Sequence, residues 1–489
     1  MARRKGMFAK KSVEALLREA ALPKEGLKRS LSVWNLTALG IGAIVGAGLF
    51  VLSGEAAANY AGPAVVLSFI FAAIICFFAA LCYAEFASMI PIAGSAYTYT
   101  YVTLGDFSAW IMGWVLTLEF LFSAATVAVG WSSYLGSFLK DFGITLPHVL
   151  SAAPLKYQAI SGWEETGAIL NLPAMAIMAL MGYLIYHGVK TAARFNDIMV
   201  FLKLAVIVIF IALGVSFVQT ENFTPFIPEN TGVFGQFGWS GVFRGAGIVF
   251  FAFIGFDAVS TMAQEAKKPK RDMPIGMIGS LGVSTLIYIA VALVMTGIIF
   301  YKHLGVADPM AVAINAFGPK FFWLRYVLKL AILAGLTSVV LVMTMGQTRI
   351  YYAMAHDGLL PKTFGKIHKK YHTPHITTLF VTLLGTVVAG LFPVGVIGQI
   401  VSMGTLFIFG TVCLAVLILR YTHPEVHRPF KVPLVPLIPA LGILSLYGQM
   451  FFLPGVAWLQ FLSWIAFGCL LYFFYGRKNS LVRNALHEG

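Results

Sequence analysis

GIGAIVGAGLF, Gly40 to Phe50, and GAGIVFFAFIGFDAVS, Gly245 to Ser260, are the two stretches whose reading decides the fold. Each lies inside a long apolar run and crowds glycine there, at 40, 42, 46 and 48 in the first and at 245, 247 and 255 in the second. Glycine in a helix interior costs roughly 0.5–1 kcal/mol, so such a cluster needs a reason. Two reasons compete. Gly42 and Gly46 have the small-xxx-small spacing of closely packed membrane helices, and the same residues would permit a break where the backbone leaves the helix. A dinucleotide fingerprint does not fit: the spacing is wrong and no strand precedes the glycines.

The surroundings of these stretches are those of a membrane protein. Of 489 residues, 59% are hydrophobic and 11% charged, against roughly 25% charged in a soluble domain. The mean hydropathy is +0.84, and apolar runs of spanning length recur along the chain. A soluble enzyme, a disordered chain and a peripheral protein are thereby excluded. Gly, Pro and charge punctuation predicts twelve spans, near 33–53, 63–88, 106–136, 171–188, 196–218, 239–263, 276–300, 326–353, 376–393, 397–419, 434–453 and 457–476. They are too long and too continuously apolar for barrel strands, which leaves an all-α integral membrane bundle.

The net charge of +14 is a topology signal. With the N-terminus cytoplasmic, 26 of the 34 Lys and Arg fall on the inner side, five fall in outer loops, and Lys203, Arg244 and Lys329 lie within spans. The positive-inside rule then places both termini in the cytoplasm, at the plasma (inner) membrane, with no call for nucleic acid. No cleavable signal peptide is visible, because the first apolar run outlasts an h-region. Residues 1–30 include an expected basic amphipathic helix, with Val13, Leu16, Leu17 and Ala20 on one face, lying on membrane lipid. Cys76, Cys82, Cys413 and Cys469 sit in apolar runs and read as small hydrophobes. The histidines form no metal-ligand or triad pattern, so neither a metal, a cofactor nor an enzyme is expected.

The glycine clusters fall in spans 1 and 6, five spans apart. Five is odd, so equivalent interruptions there predict two five-helix repeats of opposite orientation, 33–220 and 221–420, after a cytoplasmic segment 1–32 and before two extra helices and a cytoplasmic tail in 421–489. Discontinuous helices at matching places in inverted halves mark the substrate site of secondary transporters. A half-helix N-terminus offers free N–H groups to a carboxylate, and unwound carbonyls accept from an ammonium, so paired breaks suit an amino acid.

IVGAGLF and FFAFIGFDAVS, with EAKKPKRDMPIG from Glu265, GQTRIYYAMAHDGLLP from Gly346, YTHPEVHRPFKVPLVP from Tyr421 and FYGRKNS from Phe474, together resemble the cationic amino acid transporter family of the amino acid/polyamine/organocation superfamily. The resemblance spans nearly the whole chain. It implies the leucine-transporter fold, with the substrate carboxylate at the backbone of Gly46, Ala47 and Gly48, the ammonium at the carbonyls of Ile44, Phe251 and Ile254, and Phe251 as an aromatic cover. It also implies that Lys203 of span 5 stands where sodium sits in sodium-coupled relatives, against Gly42 or Ala43 of span 1 and Thr337 or Ser338 of span 8.

From the residues alone, Lys203 lies about 10 Å deep at 1.5 Å per residue, so it either snorkels or works as a proton carrier. A lysine taken out of water can lose and regain a proton near neutral pH. Glu119 is too deep to snorkel and either is held protonated by hydrogen bonds or faces the pocket. Asp257, two residues past the second glycine break, is a linking or gating candidate. Glu85 and Glu265 read as interfacial ion pairs, and Arg349 and Asp357 as inner-gate contacts. Span 8 offers an apolar wall, with Leu341, Val342, Met343 and Met345. An apolar pocket disfavours a guanidinium without a carboxylate, so the expected activity is proton-coupled symport of neutral L-amino acids such as alanine, with cationic breadth if Glu119 or Asp257 reaches the side chain. An arginine/lysine exchanger, and a sensor on a transporter scaffold, are the alternatives. No ring of charge marks a channel.

Overall fold

A computed structural model of the chain describes residues 9–12, 31–46, 48–92, 94–158, 162–306, 309–453 and 455–485. Within them the main helices are α1 (Val33–Ile44), α2 (Val65–Met89), α3 (Ser95–Thr103), α4 (Asp106–Thr117), α5 (Ser123–Lys140), α6 (Leu172–Tyr186) and α7 (Val189–Gly214). They are followed by α8 (Gly238–Val249), α9 (Pro269–Ile298), α10 (Phe322–His356), α11 (His375–Leu391), α12 (Val394–Thr422), α13 (Leu437–Met450) and α14 (Gly455–Leu471). By length and composition, eight helical stretches among the described residues can cross a membrane; Leu172–Tyr186, His375–Leu391 and Leu437–Met450 are apolar but shorter. Expected spans 1 and 2 fall in one 57-residue stretch, Val33–Met89, more than twice the roughly 20 residues a bilayer needs. It is interrupted at Val45 and turns at Gly62, whose φ is +63°.

Local chemistry sets several boundaries. Ser32 caps α1 in a reciprocal box, its hydroxyl accepting from the Asn35 N–H at 3.3 Å while the Asn35 side chain accepts from the Ser32 N–H at 3.1 Å. Asn171 caps α6 by accepting from the Ala174 N–H. Expected span 3 is not one regular helix: α4 and α5 are joined by a π-helical turn, Leu118–Phe122, that carries Glu119. Such turns collect at functional sites. Two short antiparallel strands, Leu155–Gln158 and Gly162–Glu165, pair with each other and are too short to register beside apolar runs of spanning length.

The helices pack in two groups drawn from both halves of the chain. α9 lies against α1 and α2, and α8 against α2; α5 lies against α10, and α6 against α11. α7 bridges the groups, touching both α1 and α10. One buried apolar core runs through the whole assembly.

Charged groups concentrate at the ends. At the end rich in Lys and Arg, Leu31 donates to the Glu265 carbonyl at 3.0 Å and Lys267 donates to the Leu31 carbonyl at 2.9 Å, which fastens the start of α1 to the segment after α8. Glu265 in turn accepts from Arg349 of α10 at 2.9 and 3.1 Å. Asp357 pairs with Lys11 and accepts from the Tyr97 hydroxyl at 2.6 Å. Glu85 holds Arg420 at 2.6 Å and Arg428 at 3.2 Å. Glu85 and Glu265, expected as interfacial ion-pair partners near helix ends, are both paired in this way. At the opposite end Asp141 joins Lys329 at 2.8 Å and Arg325 at 3.2 Å.

Candidate functional site: two crossed helix breaks and a buried lysine

Both glycine clusters mark real departures from helix. After α1, Val45 is extended, with φ −76° and ψ 94°, and helix resumes as the π-helical turn Gly48–Leu52. After α8, the 3-10 turn Phe250–Phe253 leads to an extended Ile254 at ψ 130° and to Gly255 at φ +123°, before the short helix Ala258–Thr261. The two breaks touch. A Cβ on Gly48 would lie 2.2 Å from Cα of Ala252, and one on Gly255 would meet Ala43 at 2.7 Å. Gly48 must therefore be glycine for the close approach, and Gly255 for its left-handed backbone as well.

Packing and breaking, the two readings of the first cluster, are divided between its residues. A Cβ on Gly40 would strike Ser280 of α9, and one on Gly42 would strike Asn196 of α7. Those two let helices approach, while Gly46 and Gly48 flank the break.

The carbonyls freed by the breaks are held by three helices. Lys203 of α7 is 1% exposed, and its Nζ donates to the carbonyls of Gly42 at 3.0 Å and Val45 at 2.8 Å and to the Ser338 hydroxyl at 3.1 Å. Three ammonium hydrogens meet three acceptors. The Tyr288 hydroxyl of α9 lies 2.7 Å from the carbonyl oxygens of both Ile44 and Ala252, one from each break. Tyr134 of α5 donates to the Phe50 carbonyl at 2.6 Å.

Between the breaks and the facing helices is a small cavity of about 230 Å³, lined by Ala43, Ile44, Gly46, Gly48, Phe251 and Ile254, by Ser123 and Val127 of α5, and by Val339 and Met343 of α10.

Most of the residues expected here from sequence are gathered at this place. Ile44, Gly46, Gly48, Phe251, Ile254 and Met343 line the cavity, and Lys203, Gly42 and Ser338 form the ammonium cluster beside it. Ala47 lies outside the described residues, as do Val13, Leu16, Leu17 and Ala20. Thr337 is elsewhere: its hydroxyl donates to the Leu333 carbonyl at 2.7 Å, and Val45, not foreseen, supplies the third acceptor. Leu341 and Met345 are buried in the core and do not line the cavity. The wall on α10 is instead Val339 and Met343, four residues apart and hence on one face; that spacing was readable. Ile44, expected to receive an ammonium, already accepts from Tyr288, and its carbonyl retains one lone pair for a second donor.

Glu119 and Asp257 are fully buried, and neither lines the cavity. Their carboxylate oxygens accept no hydrogen bond among the described residues, and the nearby Thr405 hydroxyl is spent on the Val401 carbonyl at 3.0 Å. Among the described residues, the Ser123 hydroxyl, one turn beyond Glu119, and the Gln347 amide, one turn beyond Met343, have no hydrogen-bond partner.

Sequence comparisons match nearly the whole chain to transporters. The amino acid permease family profile matches residues 31–475. A methylthioribose transporter of Bacillus subtilis (strain 168) is 42% identical over 97% of this chain and 99% of its own. The branched-chain amino acid permease BcaP of the same organism is 43% identical over 97% and 98%. Cationic amino acid transporter 1 of Arabidopsis thaliana is 35% identical over 81% of this chain and 63% of its own. The molecule is thus a multi-pass membrane permease. It belongs to the amino acid permease family, whose relatives here are named as transporters and not as enzymes.

Proposed function

We propose that this permease imports neutral L-amino acids, from alanine to the branched aliphatic ones, by proton-coupled symport with alternating access. The observation that carries this reading is Lys203, buried and donating to two carbonyls of the first break, Gly42 and Val45, and to Ser338 of α10. An ammonium that holds a substrate-bearing break links its own protonation to the shape of the site. The small apolar walls, Val127, Val339 and Met343, favour an uncharged aliphatic side chain. The free N–H groups at the start of the helix resuming at Gly48 would take the carboxylate, with Ala47 beside them, while Ile44, Phe251 and Ile254 offer carbonyls to the ammonium.

The architecture of this reading is twelve spans with both ends in the cytoplasm of the inner membrane, in the leucine-transporter arrangement. Packing of α1 and α2 with α8 and α9, and of α5 and α6 with α10 and α11, supports two five-helix halves, 33–220 and 221–420. In this assignment Lys203, Gly42 and Ser338 couple the proton; Glu119 and Asp257, with Met343, tune selectivity.

One test separates the readings. In proteoliposomes without internal substrate, an inside-alkaline gradient should drive L-leucine and L-alanine uptake by the wild type but not by Lys203→Ala. Uptake that requires internal amino acid and ignores the gradient establishes exchange instead. The competition panel includes L-lysine and methylthioribose. L-lysine competing far better than L-leucine would establish the cationic reading instead.

A further inference from the structure

Between the end of α12 and the start of α13 the chain folds around a cavity of about 660 Å³, lined by Arg420, residues 424–428 and Lys431. Arg428 builds it. This residue is 5% exposed, and its two terminal nitrogens donate to the carbonyls of Leu419, His423, Pro424 and Val426 at 2.7 to 3.3 Å, which curls the loop around the guanidinium. Glu85 of α2 accepts from Arg420 and from the Val432 N–H at 2.7 Å, so the backbone beside Lys431 is fixed as well.

Donors are left over for a ligand. Arg420 spends Nε and Nη2 on Glu85 and the Val432 carbonyl, and both Nη1 hydrogens are unused among the described residues. The Lys431 ammonium and the His427 ring line the cavity and make no hydrogen bond or ion pair among the described residues. Arg420, Arg428 and Lys431 are set against Glu85 and Glu425, which leaves one positive charge uncompensated. A phosphodiester carries one negative charge, and a guanidinium fork with an ammonium beside it suits phosphate oxygens.

Position selects the source of the phosphate. Arg420 lies in the last turn of a helix long and apolar enough to span a membrane, and Leu437 opens the next apolar helix, so the cavity lies at headgroup depth. Tyr421, Leu434 and Leu437 flank it in sequence and are 71%, 71% and 54% exposed, a bare surface for acyl chains. The cavity is also at the Lys- and Arg-rich end, which in a cytoplasmic orientation meets the anionic leaflet.

We propose that this cavity binds the headgroup of an anionic glycerophospholipid, its phosphate taken by Arg420 and Lys431 and a glycerol hydroxyl by Glu425. The bound lipid braces the junction of α12 with α2 that Arg420 and Glu85 already form. The site does not depend on which substrate the central cavity takes.

The test uses the full-length protein in phosphatidylcholine nanodiscs, with phosphatidylglycerol added in steps and the thermal unfolding midpoint as readout. Each protein is measured against its own midpoint in phosphatidylcholine alone. Phosphatidylglycerol should raise the wild-type midpoint saturably. Lys431→Gln should need about fivefold more of it for half the rise, the loss of one cationic contact. Lys478→Gln, an equal change of charge at an exposed lysine outside the cavity, should respond as the wild type does. No saturable rise overturns the site. So does an equal loss in both variants, which assigns the attraction to diffuse surface charge. Inorganic phosphate that reproduces the rise without phosphatidylglycerol overturns the lipid and assigns the cavity to a soluble anion.

Discussion

At the scale of the residue, Lys203 decides most. Its Nζ has three hydrogens and three acceptors, two of them carbonyls at the broken end of α1, Gly42 in its last turn and Val45 just beyond it. Loss of the proton removes one of those bonds and frees a break carbonyl. Arginine in this place keeps its charge at all working pH values and cannot fit its planar fork to acceptors arranged for an ammonium. Lys203→Arg is therefore expected to leave L-leucine exchange measurable while abolishing uptake driven by a pH gradient, read in the proteoliposome assay. Ser338→Ala removes one neutral acceptor, worth about 1 kcal/mol. It should lower gradient-driven uptake roughly fivefold without abolishing it. Position 203 was legible in sequence as a charge too deep for comfort, and the resemblance supplied the helices it would face. Its partners Val45 and Ser338 were settled only by how far α7 and α10 are rotated, which no residue pattern encodes.

At the scale of the element, the breaks stand or fall on two glycines. A methyl group at Gly48 meets Ala252 backbone at 2.2 Å, and at Gly255 it adds a backbone strained at φ +123°. Gly48→Ala and Gly255→Ala should each destabilise the folded protein by about 1–3 kcal/mol and abolish uptake. Gly448→Ala, where a Cβ meets nothing within 4 Å inside α13, is the control. It should be neutral or stabilising by up to about 1 kcal/mol. Thermal unfolding in detergent reads all three. Glycine density announced that something interrupted these helices, but only the crossing showed that Gly40 and Gly42 serve packing and that Gly48 and Gly255 serve the break.

At the scale of the whole molecule, paired charges and backbone hydrogen bonds tie the basic end together. The ties are Glu265 with Arg349, Lys11 with Asp357, and the backbone pairing of Leu31 with residues 265–267. Glu265 and Arg349 are each only 5% exposed on their side chains, so breaking the pair leaves a buried charge uncompensated. Glu265→Gln should cost this closed arrangement about 3 kcal/mol and shift the population towards opening at the basic end. The measurement is labelling of a cysteine introduced at Ala43, by a thiol reagent applied from that side. Labelling no faster than with Glu265 intact would show that the pair does not hold the gate.

Read along the chain, the residues establish a helical membrane protein and mark two of its helices as interrupted. Those properties follow from hydropathy, charge placement and glycine, which act locally along a chain and leave a local trace. Which wall residues line the cavity, Val339 and not Leu341, is settled by packing alone. Rotation of a helix that is apolar on every side is set by the fit of its neighbours and not by its own periodicity. Glu265 and Arg349, 84 residues apart in the chain, become neighbours only when their elements pack.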